Sequence, residues 1–104
     1  MNVREMLKED FGVDLPIKGG FGNSIDNPVI LIKEGQLNDY VAVEYSYLKY
    51  IGFGRRITWE TLGQELITHG DRKIDKIKIK TRQPTETGLI TQVENYYFDI
   101  TDVF

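Results

Sequence analysis

The amino-acid sequence predicts an α+β fold: one compact domain over residues 1–104, with elements in the order α-β-β-α-β-β. Three observations carry this. Residues 74–82 and 89–101 form runs that alternate along the chain with the period of two of half-buried strands. Residues 3–7 and 59–67 space their apolar side chains three and four apart, as amphipathic helices do. Clusters of Gly, Pro, Asn and Asp separate these runs, as turns require. A chain of 104 residues buries roughly 65% of its unfolded surface, enough for one core without metal or disulfide staples.

The first helix is expected over residues 2–10. Asn2 can cap it, Glu5 follows three positions later, and Val3, Met6 and Leu7 share a face. Gly12 ends it, and Pro16 holds Leu15 extended. Pro28–Lys33, PVILIK, is a short β-branched strand whose proline suits its first position. The polar EGQLND then connects to a second strand over Tyr40–Tyr50. On that strand Val41, Val43, Tyr45 and Tyr47 would alternate with Tyr40, Ala42, Glu44, Ser46 and Leu48.

GFGRR at 52–56 reads as a loop. Thr58 would cap a helix over 58–69, TWETLGQELITH, with Glu60 in its first turn and Trp59, Leu62 and Leu66 as its buried stripe. His69 and Gly70 would close it. The last third is a hairpin. IDKIKIKTR sets Ile77, Ile79 and Thr81 against Lys76, Lys78, Lys80 and Arg82; QPTETG turns; LITQVENYYFDIT returns, with Glu94, Tyr96, Phe98 and Ile100 on one face. Isolated hairpins are marginal. The two are therefore expected to join edge to edge into an antiparallel sheet of about four strands, with helix 58–69 packed on one face. A free sheet edge would offer a route to a dimer.

The function classes narrow by composition. The net charge is −3, which provides no global basic field. There is no cysteine, which removes disulfides, thiolate nucleophiles, iron–sulfur clusters and the commonest structural zinc sites. The longest apolar run, Val29–Ile32, falls far short of the ~20 residues of a bilayer span. MNVREMLKEDFG intersperses charges, unlike a secretory signal. A soluble cytoplasmic protein without a membrane partner is the expectation. His69 is the single histidine, and neither Ser24 nor Ser46 stands in a nucleophile elbow. No catalytic residue, metal ligand or cofactor is assigned, and the protein is read as a binding domain rather than an enzyme.

Three candidate surfaces remain. Six tyrosines, five phenylalanines and one tryptophan are many for this length. Tyr45, Tyr47 and Tyr50 form the first surface, suited to another protein because tyrosine is enriched in interface cores. The leading expectation is accordingly a protein-interaction or inhibitor-like module.

The second surface lies between two glycine loops, 18–27 and 52–58. KGGFGNSIDNP is no P-loop: its lysine precedes the glycines, and Asn27-Pro28 leads into a strand where a helix is required. A backbone nest around Gly20, Gly22, Asn23 and Ser24, facing Arg55 and Arg56 at a helix N-terminus, would instead bind a small anion or nucleotide. The third surface is the basic row Lys76, Lys78, Lys80 and Arg82, within the basic strand 72–82, as a platform for nucleic acid. Two structural explanations compete with it: lysines guarding a sheet edge, and neutralisation by Glu94 and Asp99 from the returning strand.

Overall fold

The computed structural model describes residues 2–34 and 39–104. The elements are α1 (Val3–Phe11), β1 (Ile17–Gly19), β2 (Val29–Leu31), α2 (Tyr40–Arg55), β3 (Thr58–His69), β4 (Arg72–Thr85) and β5 (Gly88–Asp99). The five strands form one sheet in the order β1-β2-β5-β4-β3. The expected order of elements is roughly kept, with one strand added, but residues 40–50 and 58–69 exchange types. Residues 35–38, where most of the connection EGQLND was expected, lie outside the described residues.

α1 forms as its caps dictate. The Asn2 side chain accepts from the Glu5 N–H, and Gly12 adopts φ 67°, so that its N–H donates to Lys8 O and the Val13 N–H to Leu7 O. Val3 and Leu7 are its buried residues. Arg4 ties the helix to its flanks through hydrogen bonds to Asp14 (2.6 and 3.1 Å) and Glu34 (2.7 and 2.9 Å).

The segment expected as a strand over 40–50 is the first half of α2. Its buried residues are Val43, Glu44, Tyr47, Leu48 and Gly52. These positions repeat three and four apart, the period of a helix face. Asp39 caps the helix by accepting from the Ala42 N–H, and Arg56 ends it in the left-handed region at φ 57°. The apparent alternation arose because this helix is apolar on several sides, so a period of two could be drawn through it. The Asp39 cap and the buried positions three and four apart decide for the helix, which runs on for 16 residues.

The expected helix 58–69 is strand β3. It pairs antiparallel with β4 from Thr58↔Arg82 to His69↔Arg72, with a bulge between Thr61 and Gly63. Gly63 marks that bulge, where a helix interior would have carried it at a cost of about 1 kcal/mol. Gly70 and Asp71 form a two-residue hairpin turn, with Gly70 at φ 64°. Leu62 and Leu66 are about half exposed, so the stripe expected to bury them does not exist.

The expected all-antiparallel sheet is mixed. β4 and β5 form the anticipated hairpin, from Ile74↔Asp99 to Thr85↔Gly88. β2, however, runs parallel to β5, through Val29↔Phe98 and Ile30↔Asp99. β1 pairs antiparallel with β2 from the other side. With 40–50 helical, β2 has no hairpin partner there, and the chain returns to its side through α2, β3 and β4.

Both helices pack on one face of the sheet. Val3, Leu7, Val43, Tyr47 and Leu48 meet Ile17, Val29, Leu31, Ile77, Ile79, Tyr96 and Phe98 in one buried cluster. Each fully buried large side chain there stabilises the fold by roughly 1.5–3 kcal/mol. Gly52 lets the chain pass from α2 into β3: a Cβ there would stand 2.9 Å from the Trp59 indole. The opposite face carries Lys76, Lys78, Lys80 and Arg82. Among the described residues no helix is long and apolar enough to cross a membrane.

Candidate functional site

The glycine-rich segment connects β1 to β2. Its backbone donors are used within the loop: Gly20 N–H to Pro28 O and Gly22 N–H to Asn27 O, both 2.9 Å, and Asn27 N–H to Ser24 O at 3.1 Å. Gly22 O accepts from Tyr97 N–H at 2.8 Å, docking the loop on β5. Gly22 is buried at φ 85°, and a Cβ there would fall 3.0 Å from Val29 and 3.1 Å from Tyr97 O. The loop is thus shaped by close approach, and the N–H groups of Gly20 and Gly22 do not point at a ligand. Asn23 and Ser24 are exposed.

The loop nevertheless reaches GFGRR. A cleft of about 470 Å³ opens between α1, the glycine loop and the last turns of α2. Phe11, Phe21, Tyr50, Ile51 and Tyr96 wall it, while Asp10, Asn23, Arg55 and Glu94 supply its polar atoms. The volume lies in the range of small-molecule and side-chain pockets. Phe21 is 50% exposed. Tyr50 joins Phe11 and Phe53 into a ring cluster, 5.4 and 6.1 Å away between centroids.

Arg55 is held in place at the cleft. Its guanidinium donates to both Glu94 oxygens, at 2.7 and 2.8 Å, and to Tyr96 Oη at 2.9 Å. Thr81 Oγ1 donates to the same Glu94 carboxylate at 3.1 Å. The hydrogen bond from Arg55 holds the Glu94 carboxyl below its usual range, and burial pushes the Tyr96 phenol up. This bidentate pair, with the bond to Tyr96, engages three of the five N–H donors of Arg55.

Two features of the anion site assigned to these loops change. Arg55 and Arg56 sit at the C-terminus of α2, where the helix dipole presents negative partial charge, because the helix precedes them instead of following. Arg56 is exposed at the cap while Arg55 faces Glu94.

The three tyrosines part company. Tyr47 is fully buried in the core behind the cleft it helps line, and donates to Phe21 O at 2.6 Å. Tyr45 stacks on Trp59 with centroids 6.2 Å apart and bonds to Gln64 at 3.3 Å on another side of α2. Tyr50 alone of the three is placed beside exposed aromatic rings at the cleft. Lys76, Lys78, Lys80 and Arg82 form one row on the other face of the sheet, with Arg82 paired to Glu60 at 3.0 Å. Among the described residues, no three His, Asp or Glu side chains gather into a metal-holding group.

Sequence reasoning missed Phe11, Phe21, Glu94 and Asp10 at the cleft. Two signals were present. An aromatic side chain inside a glycine turn has no core to fill. A carboxylate sharing a strand face with Tyr96 and Phe98 needs a cation above it. Against models of known protein families, against curated proteins and against solved structures, the chain finds no match.

Proposed function

We propose that the protein is a non-catalytic binding module that grips another protein through the cleft between α1 and α2, receiving an apolar or aromatic side chain of that partner. The observation that carries this reading is the aromatic wall of the cleft: Phe11, Phe21 and Tyr50 around about 470 Å³ of open space, with Phe21 half exposed. Exposed aromatic groups gathered at a concavity are the usual anchors of a protein interface. Asp10 adds a carboxylate with no ion pair among the described residues. An anchor carrying a positive charge or hydrogen-bond donors beyond its apolar part would suit the site best.

The same geometry disfavours a phosphate or nucleotide here. Arg55 already serves Glu94, the helix end contributes negative partial charge, and the glycine N–H groups are occupied. Selection from a displayed random-peptide library, followed by amide chemical-shift mapping, tests the reading. Selected peptides should share an aromatic or aliphatic anchor, shift the amides around Phe21, Tyr50 and Arg55, and lose binding to Phe21→Ala. Peptides that map elsewhere, or thermal shifts with inorganic phosphate or nucleotides that Arg55→Met abolishes, would overturn it.

A further inference from the structure

We propose that the helix-free face of the sheet binds single-stranded nucleic acid along Lys76, Lys78 and Lys80. The fold removes the sheet edge and the β5 carboxylates as explanations for this row. β4 lies between β3 and β5, so its lysines guard no sheet edge. The two carboxylates of β5 are engaged elsewhere: Glu94 turns to Arg55 on the covered face, and Asp99 pairs with Arg72 at 2.7 Å. Lysine is also a poor strand former in a central position, where threonine would keep the face polar at less cost.

What remains is a column of charge. Arg82 pairs with Glu60, whereas Lys76, Lys78 and Lys80 have no ion pair among the described residues. On β3 two carboxylates stand in register with the row, Glu60 opposite Lys80 and Glu65 opposite Lys76. Four cations therefore face two carboxylates, on a chain whose net charge is −3. Alternate residues of a strand stand about 6.8 Å apart, a step close to that between successive phosphates of an extended nucleic-acid strand.

A second column runs beside the first. Tyr97, Asn95 and Val93 on β5 stand directly opposite Lys76, Lys78 and Lys80. Val93 is more than half exposed, and Tyr97 and Asn95 are half-buried, with the Asn95 amide oxygen turned away from solvent. On the other flank the β3 bulge opens a notch of about 250 Å³, lined by Gly63, Gln64, Glu65, Lys76 and Lys78. A single strand presents phosphates along one side and bases along the other, matching a charged lane next to an apolar and aromatic lane. An acidic peptide offers no such second lane, and a duplex hides its bases.

Fluorescence anisotropy with a labelled oligothymidylate at low salt tests this. Binding is expected with a log–log salt slope of about −2, as three phosphate contacts give on a single strand. Lys76→Gln, Lys78→Gln and Lys80→Gln together should weaken it at least about tenfold with unchanged circular dichroism. Gly63→Leu should fill the notch and weaken binding without changing the slope. Absence of binding at low salt, binding undiminished in the triple variant, or equal affinity for duplex DNA or polyglutamate would overturn the proposal.

Discussion

Arg55 in the last turn of α2 and Glu94 in β5 meet through two parallel hydrogen bonds, at 2.7 and 2.8 Å, closing the floor of the cleft. The pair joins helix to sheet across 39 residues of sequence. Both side chains retain some solvent exposure, which screens the attraction, so the coupling is set nearer 1 kcal/mol than the 3–5 of a buried pair. A double-mutant cycle of Arg55→Met and Glu94→Gln, read by urea denaturation, should return about 1 kcal/mol. A coupling near zero would show that the pair positions nothing.

The Tyr47 hydroxyl reaches across from α2 to the carbonyl of Phe21, 2.6 Å away. The phenol is buried, and burial pushes its pKa upward. Tyr47→Phe keeps the ring in the core and deletes this one bond, leaving Phe21 O without its donor. A loss of about 1 kcal/mol is expected. Amide exchange should accelerate at Gly22 and Tyr97, whose hydrogen bonds hold the same loop, while exchange in β3 stays unchanged.

Gly22 combines a positive φ of 85° with a Cβ position 3.1 Å from the Tyr97 carbonyl and 3.0 Å from Val29. Gly22→Ala meets both the left-handed penalty and a backbone neighbour, so it should destabilise by about 2 kcal/mol or more. Gly63→Ala is the control: it has ordinary φ and nothing within 4 Å of the new Cβ. Its melting temperature should stay at or above that of the parent chain. The reverse ranking would contradict the packing of the loop on β5.

The β4–β5 hairpin was legible because Ile77, Ile79, Tyr96 and Phe98 alternate with polar neighbours and bury one face only. α1 was legible from Asn2 and Gly12, its two caps. α2 and β3 were not, each for a local reason. Glu44, a carboxylate at the centre of the buried helix face, broke the apolar pattern at 43, 44, 47 and 48. Leu62 and Leu66 resemble a helical stripe, although Leu62 is the extra, unpaired residue of the bulge between Thr61 and Gly63. Gly70-Asp71 is a two-residue hairpin signal that was read as a helix end. The meeting of the two glycine loops at a cleft depends on tertiary packing, and no local pattern encodes it.

Glu44 also makes the fold sensitive to alkali. Its carboxyl is fully buried, and no donor is aimed at either oxygen. Across from it Asp75 on β4 is buried too, and accepts from Gln64 at 2.5 Å. In its neutral form Glu44 can donate a hydrogen bond to Asp75. Burial first, then the bond to Asp75, pushes its pKa from the ordinary 4.5 up to about 10.

A folded pKa raised above the unfolded one gives stability that is complete below the unfolded value and is lost as pH rises toward the folded value. Between about pH 5 and pH 9 this one group should cost about 1.4 kcal/mol per pH unit, reaching about 3 kcal/mol at neutrality. Glu44→Gln keeps the shape and can still donate to Asp75, but it has no proton to lose. Urea denaturation across this range should show the parent chain weakening steadily while the variant's curve stays flatter and lies above it at pH 8. Parallel curves would mean that Glu44 is ionised in the folded protein and that another group meets its charge.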